Sequence, residues 1–118
     1  MEDSTRISFM EAGVDVDDCL NRFLNKDELF FRFMKKYLED NNVEKLGEAL
    51  ECGDVSEAFK VAHALKGVAG NLSFAAILDP LVPFVEVLRA GSMEGADNVY
   101  AQIKEAHQRI VAQIKTLN

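Results

Sequence analysis

The chain has no tryptophan, two prolines and two cysteines among its 118 residues. All-β folds depend on frequent proline and turn clusters, so this scarcity of breakers argues for helices. Cys19 and Cys52 lie far apart, outside any C-x-x-C spacing and with no nearby histidine to complete a metal set, and read as free, largely structural thiols. No apolar run approaches the roughly 20 residues of a membrane span. The opening MEDSTRISFMEAG has neither a basic stretch nor a long apolar one, so a cytoplasmic protein is expected. Basic residues are also in deficit, 13 against 20 acidic ones, and the net charge of −7 is the wrong sign for a phosphate-backbone or anionic-membrane binder.

What is present fits one packed domain over 1–118. Apolar residues make up 48% and charged residues 28%, values that exclude disorder and low complexity. There are no internal repeats, Gly/Ser linkers or charge blocks. Residues 1–13 are ambiguous, and Val16 to Phe23 form a short helix with Val16, Cys19, Leu20 and Phe23 at helical spacing. Asn25 caps a helix in which Phe30, Phe33, Met34, Tyr37 and Leu38 share one stripe. Asn42 caps a shorter helix that ends at Gly53, and Asp54 with Glu57 opens the central one near Val55. Ser73 caps the next, with Leu72 stapled onto Ile77. Pro80 and Pro83 either kink that helix or leave its regular part to begin at Asp79. Gly91 closes it. Ser92 caps a last helix to about Leu117, with Ile103, Ala106, Ile110 and Ile114 on its apolar stripe. The predicted architecture is all-α: an antiparallel up-and-down four-helix bundle over about 25–118, with a short N-terminal helical appendage over 1–24.

The central helix carries the chemistry. Val61, Leu65, Val68 and Leu72 fall on a narrow core-facing stripe, which turns His63 to the opposite, solvent side. Lys66, Gly67 and Gly70 share the histidine's face. Each glycine costs a helix about 1 kcal/mol relative to alanine, and on an exposed face burial returns nothing. A glycine one turn past an exposed histidine clears the way for another protein's surface to reach the imidazole. A lysine one turn away can offset negative charge added to that ring. A histidine with an ordinary pKa near 6.5 is mostly neutral and nucleophilic at cytoplasmic pH. The constellation suits accepting and releasing a phosphoryl group.

The stretch AHALKGVAGNL, residues 62–72, resembles the signature of histidine-containing phosphotransfer domains, which centres on H-x-L-K-G, a small residue and an N-L-G-like end. Glu86, followed by Arg89, Ala90 and Gly91, falls where that family has its L-E pair and turn. The resemblance is strong over residues 54–91. It implies a four-helix bundle carrying phosphate between response-regulator receiver domains in a His-Asp phosphorelay, a carrier rather than an enzyme. His63 would be the phosphoacceptor, Lys66 would steady the phosphoryl group and Gly67 would give the receiver clearance. No cofactor of its own is implied, the Mg²⁺ belonging to the receiver. Partners would be receiver domains and a sensor or hybrid histidine kinase, with the chain itself a monomer. Two departures stand out: the N-L-G-like end reads Asn71, Leu72, Ser73, replacing a tight glycine turn with a serine cap, and the L-E pair reads Val85, Glu86 in a helix with two prolines.

Phe59, one turn before His63, is either part of an apolar rim for a partner or tucked under the N-terminal segment. Lys60, Ala64, Gly70 and Asn71 flank the same region and are the further candidate partner contacts. His107 lacks lysine and glycine neighbours and reads as a boundary histidine of the last helix. Asp15, Asp17 and Asp18 lack the spacing of a calcium loop and read as a solvated helix start. Two rival readings are a helical module that docks a receiver or kinase without chemistry, and the phosphoacceptor module of a chemotaxis-type histidine kinase.

Overall fold

A computed structural model describes residues 1–117. Among the described residues there are seven helices and no strand: α1 Asp3–Ala12, α2 Val16–Arg22, α3 Asp27–Tyr37, α4 Asn42–Glu51, α5 Val55–Asn71, α6 Ala75–Arg89 and α7 Ala96–Ile114. Side-chain caps start two of the helices. Asp15 accepts a hydrogen bond from the Asp18 amide at 3.1 Å and starts α2. Asp54 does the same for α5 through the Glu57 amide at 3.0 Å, as expected. Gly53 takes a left-handed φ of 71° just past α4, a conformation that glycine adopts without a Cβ penalty.

Several expected caps are displaced. Asn25 does not cap α3: it sits in the left-handed region at φ 57°, and the helix starts two residues later with Asp27 and Glu28 facing its positive end. Asn42 is the first residue of α4 rather than its cap. Asn41 stands at the cap position without a side-chain hydrogen bond, and Asp40 before it accepts from the Asn42 amide at 2.9 Å and from its side-chain Nδ2 at 3.0 Å. Ser92 accepts from the Glu94 amide in the preceding turn, and α7 begins four residues after it. Ser73 is not a cap either. It holds a positive φ of 56° and is buried, and its hydroxyl donates to the Asp18 carboxylate at 2.5 Å. The serine thus occupies the left-handed geometry of the tight turn itself, anchored from α2.

The two prolines neither break α6 nor delay it to Asp79, for the helix runs from Ala75 through both. Each removes one backbone hydrogen bond. Along the same helix Ile77, Leu81, Phe84, Val85 and Leu88 are buried, and burial of that stripe, at about 1.5–3 kcal/mol per side chain, outweighs the loss.

The helices assemble as consecutive hairpins. α5 packs between α4 and α6, α6 packs on α7, and α7 returns against α4 and α1. Phe59 near the start of α5 meets Arg89 at the end of α6, so those two run antiparallel. Tyr37 on α3 meets His107, and Val43 on α4 accepts from the Tyr100 hydroxyl at 3.0 Å, so α3 and α4 together run antiparallel to α7. The N-terminal helices expected as an appendage contribute Phe9, Ala12, Val14, Val16 and Cys19 to the same buried cluster as the bundle. Phe9 packs edge-on against Phe30 with ring centroids 5.2 Å apart. The expected α3 stripe is only partly interior: Phe30, Met34 and Tyr37 are buried, whereas Leu38 is exposed and Phe33 lies at the surface, stacked on Phe23 at 4.8 Å. The thiols differ from each other. Burial pushes Cys19 up to about 12, while Cys52 is exposed at the end of α4.

Candidate functional site

The phase of α5 follows from its apolar residues. Val61, Leu65 and Leu72 are buried as expected, joined by Ala58, Ala62 and Ala69, and Val68 is half-buried. Alanine along this face lets α4 and α6 approach closely. His63 is consequently exposed, and among the described residues nothing hydrogen-bonds its ring. Its one ring contact among the described residues is Phe59, half-buried, with centroids 5.9 Å apart and planes tilted by 42°. Phe59 thus flanks the histidine and has its own neighbour: the Arg89 guanidinium carbon lies 4.8 Å from the ring centroid.

The other α5 candidates are brought together on this surface. Lys60, Ala64, Gly67 and Asn71 are exposed, and Lys66 and Gly70 are half-buried. Lys66 makes no ion pair among the described residues, so its ammonium is available one turn from the imidazole. A Cβ built at Gly67 or at Gly70 would meet nothing within 4 Å. Packing within the chain therefore does not require a glycine at either position. The contrast with Gly47 on α4 is direct, since a Cβ there would fall 2.4 Å from the Tyr100 hydroxyl oxygen. The glycines beside His63 leave room for something outside the chain.

Beyond the last turn of α5 lies a groove of about 760 Å³, lined by Phe23, Phe33, Tyr37, Val68, Asn71 and Leu72 with charged groups at its rim. It places an apolar surface next to Asn71 at the end of α5. Neither this groove nor the position of Arg89 is readable from spacing, because both depend on helices distant in sequence.

His107 has a different environment. Its Nδ1 lies 2.7 Å from the Tyr37 hydroxyl and its Nε2 3.5 Å from a Glu44 carboxylate oxygen. Burial holds its pKa below the ordinary value of 6.5, outweighing the pull of Glu44 and Asp40 in the other direction. Such a ring is a structural bridge between α3, α4 and α7. Because the unfolded chain binds a proton here more readily than the folded one, stability is full above pH 6.5 and declines as pH falls through that value. The unfolding midpoint in urea should drop between pH 7.5 and 5.5, and His107→Gln should flatten that decline; an unchanged pH profile in the variant would assign the dependence elsewhere.

The three aspartates near the N-terminus serve separate partners. Asp15 caps α2, Asp17 pairs with Arg6 at 2.6 Å, and Asp18 takes hydrogen bonds from Ser73 and Arg22 that hold its pKa below the usual carboxylate range.

No helix is long and apolar enough to cross a membrane among the described residues. No curated protein and no solved structure matches the chain. The sequence profile of the Hpt domain matches residues 28–113, which spans α3 through most of α7 and includes every candidate on α5. With that match over most of its length, an all-helical bundle and an exposed histidine on the central helix, this chain belongs to the Hpt domain family.

Proposed function

We propose that this chain is a phosphohistidine carrier that accepts and donates a phosphoryl group at His63, exchanging it with an aspartate of response-regulator receiver domains. Hpt domains serve histidine phosphotransfer in two-component phosphorelays and are carriers rather than kinases. The observation that supports His63 most is the pair of glycines on its face with open space at both Cβ positions. In the transfer, the lone-pair nitrogen of a neutral imidazole attacks phosphorus and the bond from phosphorus to the aspartyl oxygen breaks. The carboxylate is restored, the proton on the other ring nitrogen stays in place, and the reverse step returns the phosphoryl group. Lys66 offsets the charge that arrives. Gly67 keeps the approach open, and Phe59, Lys60, Ala64, Gly70 and Asn71 form the surface a receiver covers. In this reading the Mg²⁺ comes with the receiver and the chain works as a monomer supplied by a sensor or hybrid histidine kinase.

The test is incubation of the purified chain with a phosphorylated receiver domain, following phosphate that is labile in acid and stable in base. Label on this chain supports the carrier reading; no label with several receivers tried would favour a bundle that docks without chemistry. The clearance role has its own test. Gly67→Ala should stabilise the chain by up to about 1 kcal/mol in urea unfolding, because α5 gains a better helix former in open space. Gly67→Leu should fold equally well yet slow transfer at least tenfold in rapid-quench measurements. Undiminished transfer by the leucine variant would remove the clearance argument.

A further inference from the structure

Arg89 stands at the end of α6 with its side chain directed across to α5, and two contacts hold it there. Its Nε donates to Glu86 Oε1 at 3.1 Å, and its guanidinium carbon lies 4.8 Å from the Phe59 ring centroid. The same ring lies 5.9 Å from the His63 imidazole. Arg89 is therefore one aromatic side chain away from the exposed histidine. Only its Nε is engaged by Glu86, and among the described residues the two terminal nitrogens have no hydrogen-bond partner. Both holding contacts are at the surface, where ion pairs and cation–π contacts are weak and readily exchanged.

A phosphoryl group on His63 would bring close to two negative charges and three strong acceptor oxygens to this spot. Lys66 can meet it only as a point charge. Arginine presents a planar fork that matches two phosphoryl oxygens at once. We propose that Arg89 is a second phosphoryl-binding residue, held over Phe59 in the unmodified chain and moving onto the phosphoryl oxygens of phosphorylated His63. This rests on the carrier reading above. Phe59 then does two things: it flanks the imidazole and keeps the guanidinium within reach of it. Glu86 shields the cation before phosphate arrives, and its release returns a carboxylate to water. No covalent bond beyond the phosphoryl transfer itself changes in this step.

Phosphorus NMR tests it on the full chain phosphorylated with phosphoramidate. A bound guanidinium favours the doubly charged phosphoryl group, so Arg89→Gln should raise its second ionisation by about half a pH unit or more. Arg89→Lys, which keeps the charge without the fork, should recover part of the shift. Arg109→Gln, an equal charge change on α7 at a residue paired with Glu105 at 3.0 Å, should leave the ionisation unmoved. Arg89 is exposed, so its variants should unfold at the same urea concentration as the parent chain. A phosphohistidine resonance with the same ionisation in the parent and in Arg89→Gln would overturn the assignment of Arg89 and leave His63 standing. The absence of any phosphohistidine resonance in the parent chain would overturn both.

Discussion

His63→Ala should reduce phosphate uptake from a phosphorylated receiver to background while changing the unfolding free energy by less than about 0.5 kcal/mol. The two halves of this result come from one fact, that α5 turns His63 out of the core. An exposed side chain with no hydrogen bond among the described residues holds little of the fold together, so its removal is nearly silent in urea unfolding. Alanine even has a better helix propensity than histidine at such a site. Chemically the loss is complete, because no other histidine stands on that face. His107, the second histidine, is half-buried and committed to Tyr37 and Glu44. Acid-labile label persisting on the variant would place the acceptor elsewhere. A loss of several kcal/mol would mean that His63 supports the core and that the phase of α5 differs from the one described.

Gly13→Ala should destabilise the chain by about 2–4 kcal/mol and lower Tm by about 10 °C, far more than any change on the histidine's face. Gly13 lies between α1 and α2 with φ at 110°, a conformation that costs an L-residue on the order of 1–2 kcal/mol. A Cβ there would also fall 2.3 Å from the Ala76 Cβ, an atom fixed to the backbone of α6 that no rotamer change can move. The surrounding hydrogen bonds resist a shift. The Ala76 amide donates to the Gly13 carbonyl at 3.1 Å, and the Asp15 amide donates to the Ser73 carbonyl at 2.8 Å. Forcing the segments apart would loosen the seat of the N-terminal helices at the turn between α5 and α6. Thermal and urea unfolding both read this. Wild-type stability in the alanine variant would show that residues 13–15 are not seated tightly on α6.

The site was largely legible in the sequence because its parts lie on one helix. Four side chains at helical spacing set the phase, and every other α5 residue takes its place from that phase. The errors fall where two residues compete for one role. Asn42 entered α4 rather than capping it, since the Asp40 carboxylate accepts from both its amide and its side chain. Ser73 carried a capping signature, yet its hydroxyl was claimed by Asp18, 55 positions away. Phe33 fits the α3 stripe by spacing, but the ring found Phe23 at the surface. Pro80 and Pro83 could not be judged from local rules, because the burial that outweighs them comes from the packing of α6 against α5 and α7.

By itself, then, the sequence determined that the chain is helical, that α5 presents His63, Lys66, Gly67 and Gly70 on one outward face, and that the motif belongs to a phosphotransfer family. These follow from periodicity and neighbours within two turns, which the chain encodes locally. Only the tertiary structure decided that Arg89 reaches Phe59, that Gly13 abuts Ala76, that the first helices enter the core and that an apolar groove opens beside Asn71. Each of those is a distance between residues far apart in the chain, and it is set by how the helices pack rather than by the propensity of any one of them.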